Sequence, residues 1–175
     1  MLRERGFTLL ELIAVMALLS ILVTLGAGAF RHYWLLHSLD SAQGDVSSQL
    51  RQLQARVASE SHPLIFGARF TPGTGEWVVI RYDQGNDRTN DSDDTCTTVG
   101  EERSFDGITF AGPPDSGFTA PPGVTLAKCG GATADMFVIF YAKGTATGGT
   151  LMLRSAALDR TRVLEVSSLT GRVGT

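Results

Sequence analysis

The segment Leu12–Phe30 runs for nineteen residues without a charged side chain. No other stretch restricts the fold of this chain so strongly. As a helix, residues 7–30 would extend about 36 Å, enough to cross a hydrocarbon core of ~30 Å. Arg3 and Arg5 precede it, which puts the N-terminus on the cytoplasmic side under the positive-inside rule. A single charge, Glu11, stands at its start. A carboxylate inside an apolar helix costs about 2.5–3.5 kcal/mol on insertion scales. Three readings fit: a membrane anchor, a signal peptide cut near Ala27-Gly28-Ala29, or a helix that meets a partner in the membrane. Only the third gives Glu11 a task.

The residues around that charge form a motif. Arg5-Gly6-Phe7-Thr8-Leu9-Leu10-Glu11 resembles the type IV prepilin signature. The resemblance implies that a prepilin peptidase cuts after Gly6, where a side chain would obstruct the cut, and methylates the new amino group of Phe7. It implies that Glu11 pairs with the Phe7 amine of a neighbouring subunit in a growing filament. A buried carboxylate and a buried ammonium are each costly alone and tolerable together, so such a pair favours registered assembly. The implied partners are other pilins or pseudopilins, the peptidase and an inner-membrane assembly platform. Residues 1–6 would be a leader, and the chain a single-pass inner-membrane protein with its later part in the periplasm.

The helical pattern continues past Phe30. Leu35, Leu39, Ala42, Val46, Leu50, Leu53 and Val57 recur at spacings of three and four, an amphipathic stripe. Asp40, Asp45, Gln49, Arg51, Gln52, Gln54 and Arg56 fall off it. Ser61-His62-Pro63 ends it, because a residue before proline avoids the helical region. One helix over residues 7–61 would be ~80 Å long, with soft points at Gly26, Gly28 and Gly44. Ser20, Thr24 and Gly28 offer a small-residue face, read either as a packing surface or as residues a membrane helix tolerates. Arg31, His32, Tyr33 and Trp34 read as an interfacial belt.

From Pro63 the period changes to two. Strands are expected at Leu64–Phe70 and Glu76–Tyr82, joined by a Thr71–Gly75 hairpin loop. Others are expected at Ser104–Phe110, Gly123–Cys129, Met136–Ala142, Thr150–Ser155 and Arg162–Ser167, separated by Gly- and Pro-rich connectors. The fold class is α+β: a long N-terminal membrane-spanning helix packed on an antiparallel β-domain of residues 63–175, in one or two sheets.

The C-terminal third carries a second resemblance. Phe140–Gly144, Gly149–Arg154 and Val163–Val173, with its Ser-x-x-Gly-Arg-Val ending, resemble the closing hairpin of the GspH/FimT family. Its members are minor pseudopilins of type II secretion and minor pilins of type IV pili. Some FimT-like pilins bind DNA through basic residues in this tail. Here only Arg172 stands there, followed by Gly174-Thr175, in a chain of formal charge -3. That argues against nucleic acid as a partner.

Cys96 and Cys129 are the only cysteines. Both would face an oxidising compartment, so a disulfide between them is expected, contributing about 3–4 kcal/mol by chain entropy. Residues 83–106 hold eight acidic groups against two basic ones. Asp87, Asn90, Asp91 and Asp93 are the candidate ligands for calcium, although their spacing departs from the EF-hand template. The alternative is a solvated loop rich in turn formers. Cofactors are otherwise not expected. His32, His37 and His62 are scattered, Gly144–Gly149 lacks the Lys-Ser/Thr of a phosphate loop, and Glu101-Glu102 fall on opposite faces of a strand. No enzyme activity is expected. The leading expectation is a minor pseudopilin of a type II secretion pseudopilus. A type IV pilus minor pilin of the FimT/FimU kind, in pilus assembly or DNA uptake, is the alternative, and a membrane-anchored binding module is the third.

Overall fold

The computed structural model describes residues 8–60, 64–83, 95–112, 129, 135–141 and 143–175. The chain divides into two units, Met1–His37 and Ser38–Thr175. The helix α1, Leu9–Ser59, supplies the described part of the first unit and enters the second. It is unbroken through Gly26, Gly28 and Gly44, so none of the expected soft points interrupts it. In its last turn Arg56 pairs with Glu60 at 2.7 Å, and the Glu60 N–H bonds the Arg56 carbonyl.

Among the described residues eight strands follow: β1 Leu64–Phe70, β2 Glu76–Asp83, β3 Thr95–Ser104, β4 Ile108–Ala111, β5 Met136–Phe140, β6 Gly149–Ser155, β7 Arg160–Val166 and β8 Val173–Gly174. They form two four-stranded sheets, ordered β3-β2-β1-β5 and β4-β6-β7-β8. All ladders within them are antiparallel. The Thr71–Gly75 loop closes the β1–β2 hairpin in a register that pairs Phe70 with Trp77 and Ile65 with Tyr82. The same loop joins the sheets: the Gly73 N–H donates to the Phe110 carbonyl at 2.9 Å, and the Phe110 N–H to Thr74 at 2.7 Å.

One stretch departs from expectation. Instead of a single strand over Ser104–Phe110, β3 ends at Ser104 and β4 begins at Ile108. Between them the Phe105 N–H bonds the Gly75 carbonyl at 3.2 Å. The strand β3 was hidden because most of its side chains are exposed. An edge strand wet on both faces has no apolar alternation to display. The opposite case is β5, whose five residues are all buried. A strand covered on both faces reads as an unbroken apolar run. Of the strand expected at Gly123–Cys129, only Cys129 lies within the described residues.

The main core explains why the helix and the two sheets belong together. Leu39, Ala42, Val46, Leu50, Leu53 and Val57 of α1 are buried with Phe66, Ala68 and Phe70 of β1, Val138 and Phe140 of β5, and Leu151, Leu153 and Leu164 of β6 and β7. Alternate residues of the first sheet, Ile65, Val78, Ile80, Tyr82, Phe137 and Ile139, form a second cluster with Cys129. Because strand side chains alternate, these lie on the face turned away from α1. Leu50 is fully buried at the centre of the helix stripe. Leu50→Ala is expected to destabilise the Ser38–Thr175 unit by about 2–5 kcal/mol, read as a lower urea midpoint with unchanged slope.

Candidate functional site

The N-terminal apolar surface starts with a capped helix. The Thr8 hydroxyl accepts the backbone N–H of Glu11 at 3.3 Å, and the Thr8 carbonyl accepts that of Leu12 at 3.2 Å. Thr8-Leu9-Leu10-Glu11 therefore fits the capping-box pattern, with Glu11 in the first turn. The Thr-x-x-Glu signal is present in the sequence, overlapped by the more specific prepilin-like motif. One orphan donor at the helix start, the Glu11 N–H, is tied to the Thr8 hydroxyl, while the Thr8 carbonyl accepts the first intrahelical bond, and a negative side chain in the first turn suits the positive end of the helix dipole. Gly6 and Phe7 lie outside the described residues.

Beyond the cap, α1 holds a stretch long and apolar enough to cross a membrane, none of it buried within the chain. Leu10 is 79% exposed and Leu25 72%. Ser20 donates to the Ala17 carbonyl at 2.8 Å and Thr24 to the Ser20 carbonyl at 2.7 Å. These hydroxyls are satisfied inside their own helix, so they enter an apolar environment without an orphaned donor. The apolar stretch ends in two aromatic pairs, Phe30–Trp34 at 6.3 Å and Tyr33–His37 at 6.2 Å between ring centroids. Amphipathic rings at that point suit a membrane–water boundary.

In the second unit, residues off the apolar stripe hold the helix on the second sheet. Asp40 pairs with Arg162 at 2.7 Å. Gln43 donates to the Val163 carbonyl at 2.8 Å, Arg51 to the Val173 carbonyl at 3.3 Å and Gln54 to the Thr170 carbonyl at 3.0 Å. The Arg56 guanidinium stacks over the Phe66 ring at 4.4 Å. The Ser-x-x-Gly-Arg-Val ending now has a physical reading. Gly171 has φ +60°, and a Cβ there would come within 2.9 Å of the Gly144 carbonyl and 3.0 Å of the Gln54 amide. Only glycine fits this turn, which lets Val173 return to the core and pair with Val166.

Cys96 and Cys129 are disulfide-bonded with Cα atoms 5.0 Å apart. The calcium candidates Asp87, Asn90, Asp91 and Asp93 lie outside the described residues. Among the described residues, no three His, Cys, Asp or Glu side chains converge as a metal site would require. Glu101 and Glu102 both sit on the exposed strand β3, and Glu102 faces Arg69 at 3.7 Å.

The Asp40–Arg162 pair is half exposed, so a double-mutant cycle with alanine is expected to give a coupling below ~1 kcal/mol. Gly171→Ala, by contrast, is expected to cost about 1–3 kcal/mol through backbone strain, read as a lower melting temperature.

Comparison with known proteins agrees with these features. Residues 1–27 match the prokaryotic N-terminal methylation motif. No curated protein matches the chain. Among solved structures, the minor pseudopilin EpsH from the type 2 secretion system of Vibrio cholerae is similar in fold, at 11% identity and a TM-score of 0.52. The match covers 78% of this chain and 94% of that one. The chain thus carries a prokaryotic N-terminal methylation motif and an α+β fold similar to that of a minor pseudopilin.

Proposed function

We propose that the chain is a minor pseudopilin, a structural subunit of a type II secretion pseudopilus that supports protein transport across the outer membrane. The observation that carries this reading is the unburied apolar helix opening on Thr8 and Glu11. A helix whose apolar surface finds no cover among the described residues is suited to lipid or other subunits as its solvent. The fold likeness to a type 2 secretion pseudopilin favours that machine over a type IV pilus, whose minor pilins share the methylation motif.

In this reading residues 1–6 are a leader, residues 7–61 the assembly helix and residues 63–175 a periplasmic domain. Prepilin peptidase cuts after Gly6 and methylates Phe7. The subunit waits in the inner membrane with its N-terminus cytoplasmic, and an assembly platform moves it into the filament. During that transfer Glu11 pairs with the Phe7 amine of a neighbour, which removes the cost of two unpaired charges at once. The work is mechanical, with no chemistry done by the chain.

Two variants test separate steps. Gly6→Val is expected to leave the precursor intact by mass spectrometry, whereas the parent loses six residues and gains one methyl group. Glu11→Ala is expected to be processed normally and yet fail to co-purify with sheared filaments. Undiminished incorporation of Glu11→Ala would overturn the assembly role.

A further inference from the structure

Cys129 is held at two points on the face of the first sheet turned away from α1. Its sulfur is bonded to Cys96 on β3. Its carbonyl oxygen accepts a hydrogen bond from Nη1 of Arg69, on β1, at 2.8 Å. Arg69 thus reaches across the sheet to the residue that closes the disulfide loop.

The surroundings make that bond hard to lose. The Arg69 side chain is only 15% exposed and that of Asp135 only 6%. Nε of Arg69 lies 3.8 Å from the Asp135 carboxylate and Nη2 lies 3.7 Å from Glu102. Neither carboxylate is at hydrogen-bond distance, and the buried Nε has no hydrogen-bond partner among the described residues. Among the described residues the Cys129 carbonyl is therefore the close acceptor for Arg69, in a desolvated, charged setting. Removing an acceptor from a buried cation costs far more than an ordinary hydrogen bond. Arg69 has reason to keep its grip whether or not the sulfurs are joined.

We propose that Arg69 is a positioning residue for disulfide formation, holding reduced Cys129 over Cys96 before the bond exists. The reaction needs an oxidant, taken here as a small-molecule or protein disulfide. One cysteine thiolate attacks it and forms a mixed disulfide with release of a thiol. The second cysteine then displaces the remaining thiol and closes Cys96–Cys129. Two electrons and two protons pass from the pair of cysteines to the oxidant, which leaves as two thiols. Pre-positioning raises the effective concentration of one cysteine at the other, and so favours the second step. The inference is independent of which filament the chain serves.

The test uses the full chain in detergent, equilibrated across ratios of reduced to oxidised glutathione, with the oxidised fraction read by thiol alkylation and mass. Arg69→Met is expected to lower the effective concentration of the two thiols roughly tenfold, the size of one charge-assisted hydrogen bond. Val57→Ala loosens the helix seat without touching Arg69. It is expected to lower the melting temperature while leaving that concentration within about twofold. If Arg69→Met does not fold, Arg69→Lys serves, since it keeps the charge and loses the fork. A fall of at least about threefold is then expected. An Arg69 variant within twofold of the parent, or an equal fall in Val57→Ala, would overturn the proposal.

Discussion

The seating of Leu39, Ala42, Val46, Leu50, Leu53 and Val57 on the two sheets is the contact on which the second unit depends. Each sheet has an apolar face that must leave water, and neither can cover itself. The helix stripe covers both, while the Thr71–Gly75 loop bonds one sheet to the other. Take the stripe away and Phe66, Phe140, Leu151 and Leu164 would all face solvent. Among the described residues, none of the apolar stretch in the earlier part of the same helix is buried. One element thus carries two patterns, a one-sided apolar stripe where it meets sheets and an all-round apolar surface along the stretch long and apolar enough to cross a membrane.

How legible this was depends on how many faces of an element are dry. The helix announced itself through spacing, and β1, β2, β6 and β7 through short alternating runs between glycines. The fully covered strand β5 showed as a block of apolar residues. The exposed strand β3 showed nothing, because Thr97, Thr98, Glu101 and Glu102 carry no record of which side is buried. Polar residues on the helix were equally silent. Gln43 and Gln54 look like ordinary solvated side chains until the carbonyls they bond are known.

The start of the helix combines two devices in the same residues. Thr8 and Glu11 belong to a recognition pattern read by a processing enzyme in the proposed function, and they also close the first helical turn. The capping bond uses the backbone of Glu11, which leaves its carboxylate outside that bond. The same four residues can therefore fix the helix start and present a charge to a neighbour.

The manner in which α1 holds the second sheet has an evolutionary corollary. Three of its polar contacts, from Gln43, Arg51 and Gln54, address main-chain carbonyls of Val163, Val173 and Thr170. A carbonyl is the same group whatever side chain its residue bears. The strand and turn residues that supply these acceptors can change side chain while the acceptor group stays the same. For these contacts the side-chain requirement sits on the helix alone, so the grip places no demand on side-chain identity at the acceptor positions of the sheet and its turn.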